Sequence, residues 1–309
     1  MKETLFIINP VSARGATLRM WAGARERIGA LGIDFDEYVT NRAGEATVVT
    51  REALAAGVMR VVAVGGDGTL SEVVNGYFME SGSAINKAAS VGLLPSGTGS
   101  DFRRSVGLRD RADLIRRLLA SETRLLDAGR AEFRNHDGAN VSRFFINVAS
   151  FGLGADVSEL VNRWRDSLPR WIGGRARFAA AAVAALKRYQ NIDVRILMDD
   201  RELKIKSNLI VVANGRFAGG GMMLAPNATL DDGLLDVIVT DGATRLDVVK
   251  ELPRIQRGGH LKNARVSEFR AREVSIDSEK PLAVDLDGEI VGFAPATLKV
   301  LPSAIRFLG

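Results

Sequence analysis

The chain has 309 residues, with 42 Lys and Arg against 37 Asp and Glu, a formal charge of +5, 46% hydrophobic residues and no Cys. At roughly 150 residues per domain there is chain enough for two domains, and the composition excludes wholesale disorder and collagen-like structure. Without Cys there is no disulfide scaffold, thiol nucleophile or Cys-bound metal centre, and the only two His, His136 and His260, leave little for a His-based metal site or triad.

Met1 to Thr4 run into the apolar stretch Leu5 to Ile8, which reads as a buried strand ending at Asn9-Pro10 and is too short for a secretory signal. Helical spacing follows over Thr17 to Leu31, with Gly32 as a stop. Ile33 to Val39 alternates in part, and Gly44 to Ala56 is helix-like. Val58 to Val64 is a second β-branched run, closed by Gly65-Gly66-Asp67-Gly68-Thr69 and a helix over Leu70 to Met79. Val91 to Leu94 ends at Pro95-Ser96-Gly97-Thr98-Gly99. Strand, loop and helix in repetition predict a parallel sheet whose loops gather at the carboxyl ends of the strands, where ligands bind.

Beyond Leu125 the pattern changes. Val141 to Val148, Ile192 to Met198, Ile205 to Ala213, Leu234 to Thr240, Val274 to Ile276 and Leu282 to Leu286 read as strands of a largely antiparallel second domain. Helical stretches interrupt it at about 155–185 and 244–257. The expected domains are 1–128 and 129–309. The longest unbroken apolar run, Phe178 to Leu186, is far short of the ~20 residues of a membrane span, so a cytoplasmic protein is expected.

Gly65 to Thr69 carries the strongest chemical signal. Its glycines allow close backbone approach, and the helix that follows aims unpaired N–H groups at a phosphate. Asp67 within it implies a bridging Mg²⁺ or a proton-transfer role. As an isolated feature it would equally be a tight turn with Asp67 as a helix cap. It is neither a Walker A loop nor a G-x-G-x-x-G fingerprint, since Ser71 stands at the last glycine. Pro95 to Phe102 repeats the design with Asp101, and Asn9 to Gly15 adds amide and hydroxyl donors and the Arg14 guanidinium.

Asn-Pro-x-Ser, G-G-D-G-T-x-x-E-x-x-N-G over Gly65 to Gly76, and P-x-G-T-x-x-D-F over Pro95 to Phe102, in this order, resemble the diacylglycerol kinase catalytic-domain family. That family includes bacterial lipid kinases of the diacylglycerol kinase and YegS type, with sphingosine and ceramide kinases as relatives. The resemblance spans nearly the whole chain, continuing through Asn214-Gly215, Gly219 to Gly221, Pro226, Asp231-Asp232-Gly233-x-Leu235-Asp236 and Asp287-Gly288-Glu289. It implies an NAD-kinase/phosphofructokinase-like α/β lobe, a β-rich antiparallel lobe, and transfer of phosphate from ATP to a lipid hydroxyl.

By the same resemblance ATP lies between the domains over Asn9, Pro10, Val11, Ser12, Ala13, Arg14, Thr40, Gly65, Gly66, Asp67, Gly68, Thr69, Leu70, Ser71, Glu72 and Thr98. Thr40 enters through a T-x-x-x-G-x-A segment with Gly44 and Ala46. Glu289 is implied as general base, Asp67 and Asp101 as holders of the catalytic Mg²⁺, and Asp232 with the carbonyls of Thr229 and Leu234 as a second, structural Mg²⁺ site. Asp-Gly is also a strong hairpin turn, so Asp287-Gly288 can present Glu289 from a turn between 282–286 and 290–293. Two departures stand out: Ser100 replaces a common Asn, so that a contact can pass to water, and Arg14-Gly15 places its glycine one residue late.

Residues 163–188 hold seven basic residues against one acid, together with Trp164 and Trp171. This patch exceeds the net charge of the whole chain. It reads as contact with anionic lipid headgroups at the inner face of a membrane, or as a solvated helix whose alanine face packs on the second domain. No nucleic-acid module accompanies it, and the oligomeric state, a homodimer included, is open. The alternatives to a lipid kinase are an NAD kinase-like enzyme, which shares the G-G-D-G loop, and a catalytically silent lipid- or nucleotide-binding regulator.

Overall fold

A computed structural model describes residues 2–96, 100–164 and 173–308, with the side chains of 174 and 175 left aside. The chain forms two compact units, 1–128 with 301–309, and 129–300.

In the first unit the elements are β1 (Thr4–Ile8), α1 (Thr17–Ala30), β2 (Phe35–Val39), α2 (Glu45–Ala55), β3 (Arg60–Gly65), α3 (Asp67–Tyr77), β4 (Ser90–Pro95), α4 (Asp101–Ser105) and α5 (Arg111–Ala120). The strands run parallel in the order β2-β1-β3-β4. β1 and β4 are buried at every residue, as parallel strands covered on both faces must be. The half-exposed β2 is the edge, which is why its sequence only partly alternates.

The second unit holds β6 (Asn140–Phe145), β7 (Val148–Gly152), α6 (Leu153–Arg163), α7 (Gly174–Ala185), β8 (Ile192–Met198), β9 (Arg201–Ser207), β10 (Leu209–Ala213), the short β11 (Phe217–Ala218) and β12 (Met222–Met223), β13 (Leu235–Thr240), α8 (Arg245–Ile255), β14 (Val266–Ala271), β15 (Glu273–Ser278) and β16 (Ala283–Leu286). β5 (Arg124–Arg134) enters it and β17 (Glu289–Phe307) leaves it. Antiparallel pairing runs β14-β13-β10-β7-β16-β17, with β17 also pairing β15, and β15 pairing β8.

Three expectations are corrected. Residues 301–309 pack with the first unit, because the end of β17 adds a parallel neighbour to β4 at Phe307↔Val91. The run Ile205 to Ala213 is two strands, since the Asn208 carbonyl turns aside to accept from Leu153 N at the start of α6. The run Val141 to Val148 likewise breaks at Ile146-Asn147, whose amides bond a carboxylate instead of a strand. Ala181, Ala182, Ala185 and Leu186 are buried with Leu153 and Val157 of α6, and Val248 and Leu252 of α8 pack against them. The alanine face of the basic stretch therefore packs on protein. Residues 165–172, with Trp171 and Arg170, lie outside the described residues.

Candidate active site

In the first unit three loops follow β1, β3 and β4, and side chains tie each to another. Asn9 Nδ2 donates to Thr69 Oγ1 at 3.1 Å, while its Oδ1 accepts from Val11 N. Ser12 Oγ and Ser96 Oγ lie 3.1 Å apart. Asp67, in the first turn of α3, reaches the third loop: Oδ1 accepts from Ser100 Oγ at 2.6 Å and from Phe102 N at 3.3 Å, and Oδ2 from Asp101 N at 2.7 Å. Ser100 thus reaches Asp67 directly despite its short side chain. Burial pushes the Asp67 carboxyl upward, against these three donors and Arg104, which pull it down. A Cβ on Gly65 would stand 2.3 Å from Thr69 Oγ1, so only glycine lets β3 enter α3 this closely.

Other expected site residues divide by what they touch. Ala13 and Arg14 adopt left-handed φ in the first loop. Arg14 Nη2 and Ser71 Oγ are buried with no hydrogen-bond partner among the described residues. Thr40 is buried and donates to Ile8 O. Glu72 is spent on the fold: its carboxylate accepts from Ala46 N in the first turn of α2. Pro10 and Val11 complete the first loop, and Thr98 lies outside the described residues.

For Mg²⁺ the donor set fits poorly as it stands. Both Asp67 oxygens are engaged by donors, and Asp101 Oδ1 pairs with Arg104 at 2.9 Å. No group of three or more His, Asp or Glu among the described residues is placed to hold a metal. At the second expected cation position Asp232 accepts from Leu234 N and its other carboxylate oxygen pairs with Arg270. Asp236 is fully buried nearby, and burial, then Glu268, pushes its carboxyl up to about 6. Arg270 Nε lies 3.7 Å from it, beyond a hydrogen bond.

In the second unit Asp287 and Gly288 have positive φ of 51° and 90°, the conformation of a two-residue hairpin turn. Asp287 accepts from the amides of Ile146, Asn147 and Val148 at 3.0, 3.0 and 3.1 Å. The Asn147 carbonyl in turn accepts from the amides of Asn214 and Gly215, and Asn214 Nδ2 donates to Ile146 O, which accounts for that Asn-Gly pair. The turn delivers Glu289 to the start of β17, where it pairs with Arg143 of β6. Arg143 was not foreseen: it is 146 positions away, and no local pattern joins the two. Asp285 also escaped notice, although a carboxyl inside an apolar run was the available signal.

The model of the diacylglycerol kinase catalytic domain matches residues 3–131, and that of the YegS C-terminal NAD kinase beta sandwich-like domain matches residues 147–309. The diacylglycerol kinase of Mycobacterium tuberculosis is 30% identical over 98% of this chain and 93% of its own. A protein of Chromohalobacter salexigens named "Probable lipid kinase YegS-like" is 32% identical over 93% and 86%. Among solved structures, a diacylglycerol kinase from Bacillus anthracis shares the fold, with a TM-score of 0.73 at 20% identity over 99% of this chain and 96% of that one. Yeast NADH kinase is a more distant fold relative, with a TM-score of 0.52 at 10% identity over 99% and 82%. The chain belongs to the diacylglycerol kinase family of lipid kinases.

Proposed function

We propose that the chain transfers the γ-phosphate of ATP to the hydroxyl of a lipid of the diacylglycerol class, with Glu289 as general base. The observation that supports this most is the mutual fastening of the three phosphate-type loops through Asn9–Thr69, Ser12–Ser96 and Asp67–Ser100. Such fastening fixes backbone amides before the ligand arrives, which is what phosphoryl transfer asks of a protein.

The loop amides, with Arg14 and Ser71, hold the phosphates. Arg143 occupies Glu289 Oε2, leaving Oε1 to take the proton of the lipid hydroxyl. The hydroxyl oxygen then bonds the γ-phosphorus as the bond to the β,γ-bridging oxygen breaks, and ADP leaves with that electron pair. Mg²⁺ bound to the nucleotide would neutralise charge on the phosphates. The acceptor lies at a membrane surface, and the basic stretch 163–188 is the proposed contact; no helix among the described residues is long and apolar enough to cross a membrane.

The test is transfer of radiolabelled phosphate from ATP to extracted lipids, with mass spectrometry of the product. Glu289→Gln should lose about 10²- to 10⁴-fold in turnover, the usual weight of a general base, and keep its ATP affinity. Turnover comparable to wild type would remove Glu289 from the mechanism. Phosphorylation of NAD in place of lipid would overturn the acceptor.

A further inference from the structure

Asp285, on β16 two residues before the Asp-Gly turn, is 95% buried and stands opposite Ser150 of β7 in the strand register. Its Oδ2 accepts from Ser150 Oγ at 2.9 Å and from Ser158 Oγ of α6 at 3.2 Å. Its Oδ1 is buried without a hydrogen-bond partner among the described residues. One helical turn beyond Ser158, Asn162 Nδ2 donates to the carbonyl of Gly288 at 3.0 Å. A single face of α6 therefore grips the Glu289 hairpin twice, once at its strand through a carboxyl and once at its turn through a carbonyl.

We propose that Asp285, with Ser150 and Ser158, is a positioning residue of the reaction: it ties α6 to the hairpin and so sets the aim of Glu289. This rests on the reading of Glu289 as the base. A packing role alone would be met by an apolar side chain, and a buried carboxyl is costly to keep. What the carboxyl adds is a bond whose strength follows its charge. Ionised, it accepts charge-assisted bonds from both hydroxyls; protonated, it can only exchange neutral ones.

Burial, opposed by the two serines, pushes this carboxyl up to about 7, close to neutrality. The charged groups on the elements around it are Asp287 and Glu289 on the hairpin, Arg143 paired to Glu289, and Asp156, Glu159 and Arg163 on α6, while β7 brings none. Of these, Asp287 raises it further by repulsion, and the Gly288 amide pulls it down. The tight, ionised state is thus the state above neutrality, and turnover rises with pH through it.

The experiment is the pH profile of kcat, with KM for ATP, for wild type, Asp285→Asn and Ser158→Ala, with thermal melting of each. Wild type should show an inflection near 7 that Asp285→Asn lacks, with kcat lowered on the order of tenfold and KM for ATP unchanged, since a small misplacement of a base costs rate and not nucleotide binding. Ser158→Ala removes a donor that favours the ionised form, so its inflection should move to higher pH; this arm decides the matter if Asp285→Asn fails to fold. A Ser158→Ala inflection that stays in place, or an Asp285→Asn profile that matches wild type, overturns the proposal while Glu289→Gln remains inactive. An active Glu289→Gln overturns the base assignment instead.

Discussion

Gly76 closes the Gly65 to Gly76 motif, and what it faces is a neighbouring helix. A Cβ placed there would lie 2.4 Å from the Thr47 carbonyl oxygen and 2.6 Å from Thr50 Cβ, both on α2. Ordinary carbon–oxygen contact is near 3.4 Å, so Gly76→Ala forces α2 and α3 apart by about 1 Å. The helices cannot part freely, because Glu72 accepts from Ala46 N and its carbonyl from Thr47 Oγ1. Overpacking costs about 1–3 kcal/mol and a strained buried hydrogen bond about 1 more, against about 1 regained from the helix preference of Ala over Gly. The expected net loss is about 2 kcal/mol, or roughly 3 °C in Tm for a protein of this size. Gly23, exposed in α1 with nothing within 4 Å, is the control: Gly23→Ala should stabilise by about 0.5–1 kcal/mol. Urea unfolding followed by circular dichroism reads both. If Gly76→Ala melts like wild type while turnover falls, the glycine serves the ligand and the packing argument fails.

Asp67→Ala leaves the amides of Asp101 and Phe102 and the Ser100 hydroxyl without their acceptor, a loss of about 3–5 kcal/mol by the cost of orphaned buried donors, together with ATP binding. Calorimetric titration with ATP after thermal melting checks it, and undiminished affinity would show that the third loop stands without Asp67. Stability should also report on Asp285. The unfolded chain loses this proton near ~3.9 and the native chain near about 7, so the native state binds more protons between them and stability falls as pH rises through that window. The full difference is about 4 kcal/mol as an upper bound, from ~1.4 kcal/mol per unit. The wild-type minus Asp285→Asn difference in unfolding free energy, measured from about pH 5 to about pH 8, should carry that slope, and a flat difference contradicts the burial cost.

The parallel sheet was legible because strands covered on both faces must be continuous apolar runs, as Leu5 to Ile8 and Val91 to Leu94 are, and because each run ends at a loop of turn residues. The antiparallel unit was legible strand by strand but not at its breaks. Nothing apolar or polar marks Asn208 as the residue where β9 gives way to β10, since its backbone carbonyl does the work by capping α6. Nor could local pattern show that Phe307 returns to Val91, a pairing between the last strand and the fourth. Long-range polar pairs such as Arg143–Glu289 are invisible to periodicity for the same reason.

The motif residues that were legible prove to be of two kinds, and composition cannot separate them. Glu72, Asn75 and Gly76 stand beside Asp67 and Thr69 in one unbroken motif. Yet Glu72 and Gly76 fit α3 to α2, and Asn75 Nδ2 donates to Ser71 O within α3 itself. Asp67 and Thr69 fasten loop to loop. The same division runs through Asp285 to Glu289, where Asp285 grips α6, Asp287 holds the amides of 146–148, and Glu289 alone is left at the start of a strand with one oxygen free of Arg143. Spacing holds such motifs together because a base or a phosphate seat is useful only when its support is fixed to a fraction of an ångström. A substitution in a supporting residue should therefore lower kcat through geometry and pH dependence, whereas Glu289→Gln should lower it by about 10²- to 10⁴-fold at every pH.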